Sequence, residues 1–175
     1  YPYKIETKPL ILVNSLAKPS ENRVSIFSKF LVVEVFETYD NFTSCSAGIE
    51  TPFGKLVVYG TIVGILGNRN QSFIPDLKSQ MNDLQKLSDK NICFLGDFNC
   101  SFSDNYYFTN EGRNLFNENF KTLNLKNITA EIPENIDHIV MSENFIAQFN
   151  IKISEFNLDK KLSDHKGIIV ELISL

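Results

Sequence analysis

From Arg23 to Val35 branched and aromatic residues alternate with polar ones, first Val24-Ser25-Ile26-Phe27-Ser28 and then Leu31-Val32-Val33-Glu34-Val35, with Lys29-Phe30 between. Such runs suit a pleated surface and predict two strands. Thr51-Pro52-Phe53-Gly54 is a turn signal that opens Lys55 to Val63, a long run of branched residues closed by the Gly64 to Gly67 loop. This predicts a central strand. The period changes at Phe73. Phe73, Leu77, Met81, Leu84 and Leu87 recur at three- and four-residue spacing as far as Lys90, which predicts an amphipathic helix with Pro75 in its first turn. Asn91-Ile92-Cys93-Phe94-Leu95 is a continuous apolar run between polar residues, as in a strand covered on both faces. Leu115, Phe116, Phe120 and Leu123 predict a second helix from Gly112 to Leu123. Ile136 to Met141, Phe149 to Phe156 and Gly167 to Ile173 predict three further strands. No repeat, low-complexity tract or linker divides residues 1–175, so one domain is expected. The order of elements implies an α/β sandwich built on mixed sheets.

The 175 residues are 43% hydrophobic, enough for one core, which excludes disordered and collagen-like classes. With 17 Lys+Arg against 21 Asp+Glu the formal charge is −4. That is not the broad positive field of a non-specific duplex binder, so any nucleic-acid contact is local or made by a metal ion. Cys45, Cys93 and Cys100 form no CxxC and no zinc-spaced cluster; they read as reduced, mostly buried thiols, and point to a cytoplasmic location. No apolar run approaches the roughly 20 residues of a membrane-spanning helix. Tyr1-Pro2-Tyr3-Lys4 does not read as a signal peptide, and the chain does not begin with Met. A monomer is expected.

The chemistry is concentrated where strands run out. Leu95-Gly96-Asp97-Phe98-Asn99 places an acid and an amide two residues apart at the end of a buried strand, where ligands collect in α/β sheets. Asp137 lies in Ile136-Asp137-His138-Ile139-Val140, and Asp164 in Leu162-Ser163-Asp164-His165-Lys166-Gly167, just before the last strand. The chain has two histidines, His138 and His165, and each directly follows one of these aspartates. Taken singly each feature has a plain reading. Asp-x-Asn is a common turn, His138 a satisfied core histidine, Ser163-Asp164 a turn. Together, three acids, an amide and an imidazole are what phosphate-ester hydrolysis requires. Carboxylates hold a hard cation and orient water, and imidazole and amide groups stabilise phosphoryl charge.

The ordered set Gly96-Asp97-Phe98-Asn99, Ile136-Asp137-His138-Ile139 and Leu162-Ser163-Asp164-His165 resembles the endonuclease/exonuclease/phosphatase superfamily of metal-dependent phosphoesterases, with a DNase I-like fold. Arg23 to Lys29 and Thr51 to Gly60 are more weakly similar to its upstream segments. The resemblance implies a four-layer sandwich of two mixed sheets flanked by helices. It implies that Asp97 orients or deprotonates water and that Asn99 steadies the phosphate. Asp164 is implied as a metal ligand, with Asp97 and Asn99 as further ligands of Mg²⁺ or Mn²⁺. His165 is implied to contact the scissile phosphate, oriented by Asp137; no such role is implied for His138.

The chain departs from the family pattern in lacking its first strand, which bears an Asn, and its second, which ends in a metal-binding Glu. Glu6 lacks the apolar strand that precedes that Glu, so the chain reads as an N-terminally incomplete domain. Where many relatives place a phosphate-contacting His or Tyr, this sequence has Ile62 or its neighbours, so that contact is absent or supplied by Tyr59. The function expected is a divalent-metal-dependent phosphodiester hydrolase, most simply a nuclease acting on DNA or RNA. The alternatives are a phosphatase or phosphodiesterase on a small phosphorylated molecule or lipid headgroup, and a non-catalytic binding domain with a degenerate metal site. Asn68-Arg69-Asn70, Tyr106-Tyr107-Phe108, Lys160, Lys161 and Lys166 are the loop residues available to meet a nucleic acid, by charge or by stacking.

Overall fold

Ile92–Asp97 is the strand around which the molecule is organised. The computed structural model describes residues 1–9 and 21–175. The elements are β1 (Tyr3–Glu6), β2 (Ser25–Ser28), β3 (Val32–Phe36), β4 (Ser44–Thr51), β5 (Gly54–Ile62), α1 (Phe73–Lys86), β6 (Ile92–Asp97), α2 (Asn110–Thr122), β7 (Leu125–Asn127), β8 (Asp137–Ser142), α3 (Glu143–Ile146), β9 (Phe149–Phe156) and β10 (Gly167–Ser174). Six strands form a mixed sheet in the order β3-β4-β5-β6-β8-β7. β5 and β6 are parallel and joined through α1, whereas β6 and β8 are antiparallel.

Alternation along the central strands sorts the core onto two faces. Val57, Tyr59 and Phe94 pack under Phe73, Leu77, Met81 and Leu84 of α1 and Phe116 and Phe120 of α2. Leu56, Val58, Cys93, Leu95 and Met141 face the opposite way, against Phe149, Ile151 and Leu172. That second face carries two antiparallel hairpins, β1-β2 and β9-β10, each a two-stranded sheet among the described residues. The α/β sandwich expected from the sequence is thus what the chain forms. Between β2 and β10, over Val58, Cys93 and Leu95, lies an apolar groove of about 590 Å³.

Three strands escape the hydrophobic pattern. β4, Ser44-Cys45-Ser46-Ala47-Gly48-Ile49-Glu50-Thr51, is built of small and polar residues, yet its first six are buried between β3 and β5. β1 pairs with β2, and β7 is only three residues long. Glu6 closes β1 and pairs with Lys4. Helix α1 ends at Lys86, four residues before the sequence boundary, because the chain tightens there into bonds from Leu87 N to Leu84 O and Ser88 N to Gln85 O. Helix α2 starts at Asn110 because the Thr109 hydroxyl caps Gly112 N at 3.2 Å.

All three cysteines are free and buried. Burial pushes the Cys45 and Cys100 thiols up to about 11 and the Cys93 thiol up to about 12, which makes them inert packing groups. No helix among the described residues is long and apolar enough to cross a membrane.

Candidate active site

The site starts from a register. In the antiparallel β6-β8 ladder Asp97 lies directly opposite Asp137, while on the other side Asp97 pairs with Ile62 of β5. Both acids therefore leave the sheet at the same edge. Gly96 makes this possible: its φ is +138°, and a Cβ there would stand 1.9 Å from the Thr61 carbonyl oxygen. Only glycine lets β6 approach β5 this closely just before the acid. Behind Asp97 the chain is fixed by Phe98, which stacks on Phe94 and Phe116 with ring centroids 4.6 and 5.1 Å apart. Burying such a ring contributes roughly 1.5–3 kcal/mol.

A spacing of two residues would put Asn99 on the same strand face as Asp97, but the two do not share one. The strand ends at Asp97, and Asn99 sits in the left-handed region with φ +48°, which asparagine tolerates better than most residues. Its backbone N–H donates to Asp97 Oδ1 at 2.8 Å, and its Nδ2 donates to the Val63 and Gly64 carbonyls at 3.0 and 3.3 Å. The phosphate-steadying role expected of Asn99 needs a free amide N–H, and both are engaged here. Its oxygen is the end left for the site.

His165 reaches the cluster from the loop before β10. Its Nδ1–H donates to Asp137 Oδ2 at 2.6 Å. The loop is shaped by Asn157, whose Nδ2 donates to the Ser163 and His165 carbonyls and whose Oδ1 accepts from Leu162 N. Asp137 is held in turn by Asn135, which is 1% exposed; Asp137 N donates to Asn135 Oδ1, and Asn135 Nδ2 donates back to the Asp137 carbonyl. Asn99, Asp137, Asp164 and His165 line one cavity of about 250 Å³, together with Tyr106, Tyr107, Lys160 and Lys166. Asp164 is exposed on its rim.

These positions set the charges. Burial pushes the Asp97 carboxyl up to about 6; the Asp137 and Asp164 charges add to this, and the Asn99 N–H and His165 oppose it. Burial lowers the His165 imidazole, but the hydrogen bond and charge of Asp137, aided by Asp97 and Asp164, outweigh it and hold the imidazole above its ordinary value. Asp137 is lowered by His165, but its burial dominates, so its carboxyl lies above the usual range. The dyad thus favours a charged imidazole whose Nε2 remains for a ligand.

Two further sequence candidates lie away from this edge. Tyr59 is fully buried, its hydroxyl held by Ser44 and Asp83 at 3.2 and 3.1 Å, so it cannot reach a ligand in the cavity; alternation along β5 sends it to the helix side. His138 is 1% exposed; its Nε2 donates to the Cys100 carbonyl at 3.0 Å and its Nδ1 meets Thr129 Oγ1 at 3.1 Å. It is a neutral core histidine, as expected. Asn135 and Asn157 were not singled out from the sequence. For Asn135 the available signal was an Asx turn, an Asn two residues before the acid it holds.

Among the described residues no group of three His, Cys, Asp or Glu side chains converges to form a metal cage. A magnesium ion does not need one: it keeps several waters and binds through one or two carboxylates plus substrate phosphate. Asp97, Asp164 and the Asn99 oxygen supply oxygen donors of that hard type, so the donor chemistry fits this ion.

No family model matches the chain, and no curated protein matches it in sequence. Solved structures do. The endonuclease domain of TRAS1, a telomere-specific non-LTR retrotransposon, superposes with a TM-score of 0.65 at 13% identity over 97% of this chain and 79% of that one. An endonuclease/exonuclease/phosphatase family protein from Leptotrichia buccalis gives 0.63 at 15% over 97% and 70%. One from Beutenbergia cavernae gives 0.52 at 17% over 75% of this chain and 39% of that one. The chain thus spans from two fifths to four fifths of the length of these structures. What they share with it is the fold.

Proposed function

We propose that this chain, which has the endonuclease/exonuclease/phosphatase fold, hydrolyses a phosphodiester bond at the Asp97–Asp137–His165 edge, as part of a nuclease. The observation that carries this reading is the β6-β8 register. It sets two acids from distant sequence side by side and lets one of them orient an imidazole at 2.6 Å.

In this reading the Asp137-bound imidazolium of His165 presents Nε2–H to a non-bridging phosphate oxygen and stabilises the charge that develops there. Asp97 orients the attacking water and accepts its proton. Asp137 acts through His165 as a positioning residue. Asp164, with Asp97 and the Asn99 oxygen, would hold Mg²⁺ or Mn²⁺. That ion, when bound, neutralises phosphate charge as a Lewis acid.

The test is turnover of DNA, RNA and small phosphodiesters by the full gene product that carries this chain, with Mg²⁺ or Mn²⁺, alongside Asp97→Ala and His165→Ala. Loss of activity in folded variants supports the roles given; activity retained within a few-fold overturns them. A domain that only binds would show no turnover with either ion.

A further inference from the structure

Building on that hydrolase reading, we propose that the outer wall of the same cavity is a nucleotide subsite. An unpaired base flanking the scissile phosphate stacks on Tyr106, and the next phosphate meets Lys160.

Three aromatic residues follow the Asp97–Asn99 turn, and the structure separates them. Phe108 is already covered by the Arg113 guanidinium, 3.9 Å from its ring centroid. Tyr107 is closed in by Gly67, where a Cβ would stand 2.2 Å from its hydroxyl, and has Arg69 over its ring at 5.9 Å. Tyr106 lines the cavity with His165 and Asn99 and is 51% exposed. No ring or cation stacks on it among the described residues.

The exposure of Tyr106 does not come from a loose loop. Tyr106 N donates to Asp104 Oδ1 at 3.0 Å, and Glu134 N donates to Asp104 Oδ2 at 2.7 Å. Tyr107 N donates to Ser101 Oγ at 2.9 Å and Arg113 Nε to the Ser101 carbonyl at 2.8 Å. Asp104 thus ties the loop to the segment that carries Asp137. A ring held open beside a phosphate site is a preorganised stacking platform, whose ordering cost is met before the ligand arrives.

The cations sort in the same way. Lys161 is paired with Asp159 at 2.7 Å and Lys166 with Glu155 at 2.9 Å. Lys160, on the cavity wall, has no carboxylate partner among the described residues. Among the described residues that line the cavity, Lys160 is the cation without a carboxylate and Tyr106 the ring without a stacking partner; on a chain of net charge −4 that pair suits a single nucleotide unit rather than a duplex backbone. Paired bases hide their faces in the stack, so the ring selects a single strand or a frayed end.

The test is the binding of two short phosphorothioate DNA single strands to the full gene product, followed by fluorescence anisotropy. One strand carries its bases; the other is abasic throughout. Wild type should prefer the base-bearing strand by roughly 5- to 150-fold. Tyr106→Ala should reduce that ratio to near one, Tyr106→Phe should restore it, and Lys160→Ala should weaken both strands alike and lower the salt slope by about one. If the preference survives in Tyr106→Ala while an unmodified strand of the same sequence is still cleaved with Mg²⁺, the subsite is wrong and the hydrolase reading stands. If neither phosphorothioate strand is bound and the unmodified strand is not cleaved, both fail.

Discussion

His165 Nδ1 and Asp137 Oδ2 meet at 2.6 Å across 28 positions of sequence. The imidazole owes its raised pKa to this contact, since burial alone would lower it. Asp137→Asn keeps the shape and removes the charge, so the His165 pKa should fall, read as the pH-dependent shift of its ring protons by NMR. Turnover should fall with it, by roughly 10²- to 10⁴-fold if the charged imidazole takes part in the reaction. An unmoved titration would separate Asp137 from His165.

Gly96 is where the fold and the site constrain each other. Gly96→Ala places a methyl group against the Thr61 backbone in a conformation that L residues rarely adopt. Strain of this kind cannot be relieved by a rotamer change, so a loss of about 3 kcal/mol or more is expected. Chemical denaturation measures it; a loss below about 1 kcal/mol would mean that β6 can retreat from β5.

Acid should act on the core through His138. Burial lowers its imidazole from 6.5 to about 4, so between these values the unfolded chain binds a proton that the folded chain does not. The stability from a neutral His138 is fully present above about 6.5 and is lost as pH falls toward 4. It amounts to about 3 kcal/mol at the low end. Asp97 acts in the opposite sense, because its folded value lies near 6, above 3.8, and its protonation favours the fold as pH falls. The effect is therefore read as the difference in pH dependence of unfolding between wild type and His138→Gln. The variant should lose less stability on acidification; parallel profiles would contradict this account.

The fold was legible wherever burial is one-sided or complete. β5, β6, β9, β10, α1 and α2 follow from apolar periodicity to within a few residues. β4 was not, because its side chains are small and polar and Ser46 to Ile49 are paired on both edges, so sheet position rather than hydrophobicity buries them. At the site, Asp97, Asn99, Asp137, Asp164 and His165 were named from the sequence; the last four line one cavity, and the β6-β8 register sets Asp97 beside Asp137. The pairing of Asp137 with His165 was legible as well; the rest of their geometry was not. Asn99 turns its amide N–H groups inward through a left-handed turn, and the alternation that delivers Asp97 to the edge sends Tyr59 to the opposite, helix-covered side. Asn135 carries only the weak signal of an Asx turn, and Asn157 bonds backbone groups five to eight residues further along its own loop, a spacing that belongs to no regular element.

Phosphodiester hydrolysis at the Asp97–Asp137–His165 edge stands or falls with the imidazole. The most direct measurement is kcat/KM of the full gene product on a single-stranded oligonucleotide with Mg²⁺, compared with His165→Ala, with the melting temperature of both recorded. The variant should lose at least about 100-fold at an unchanged melting temperature. A wild-type protein without turnover, or a His165→Ala variant within a few-fold of wild type, would contradict it.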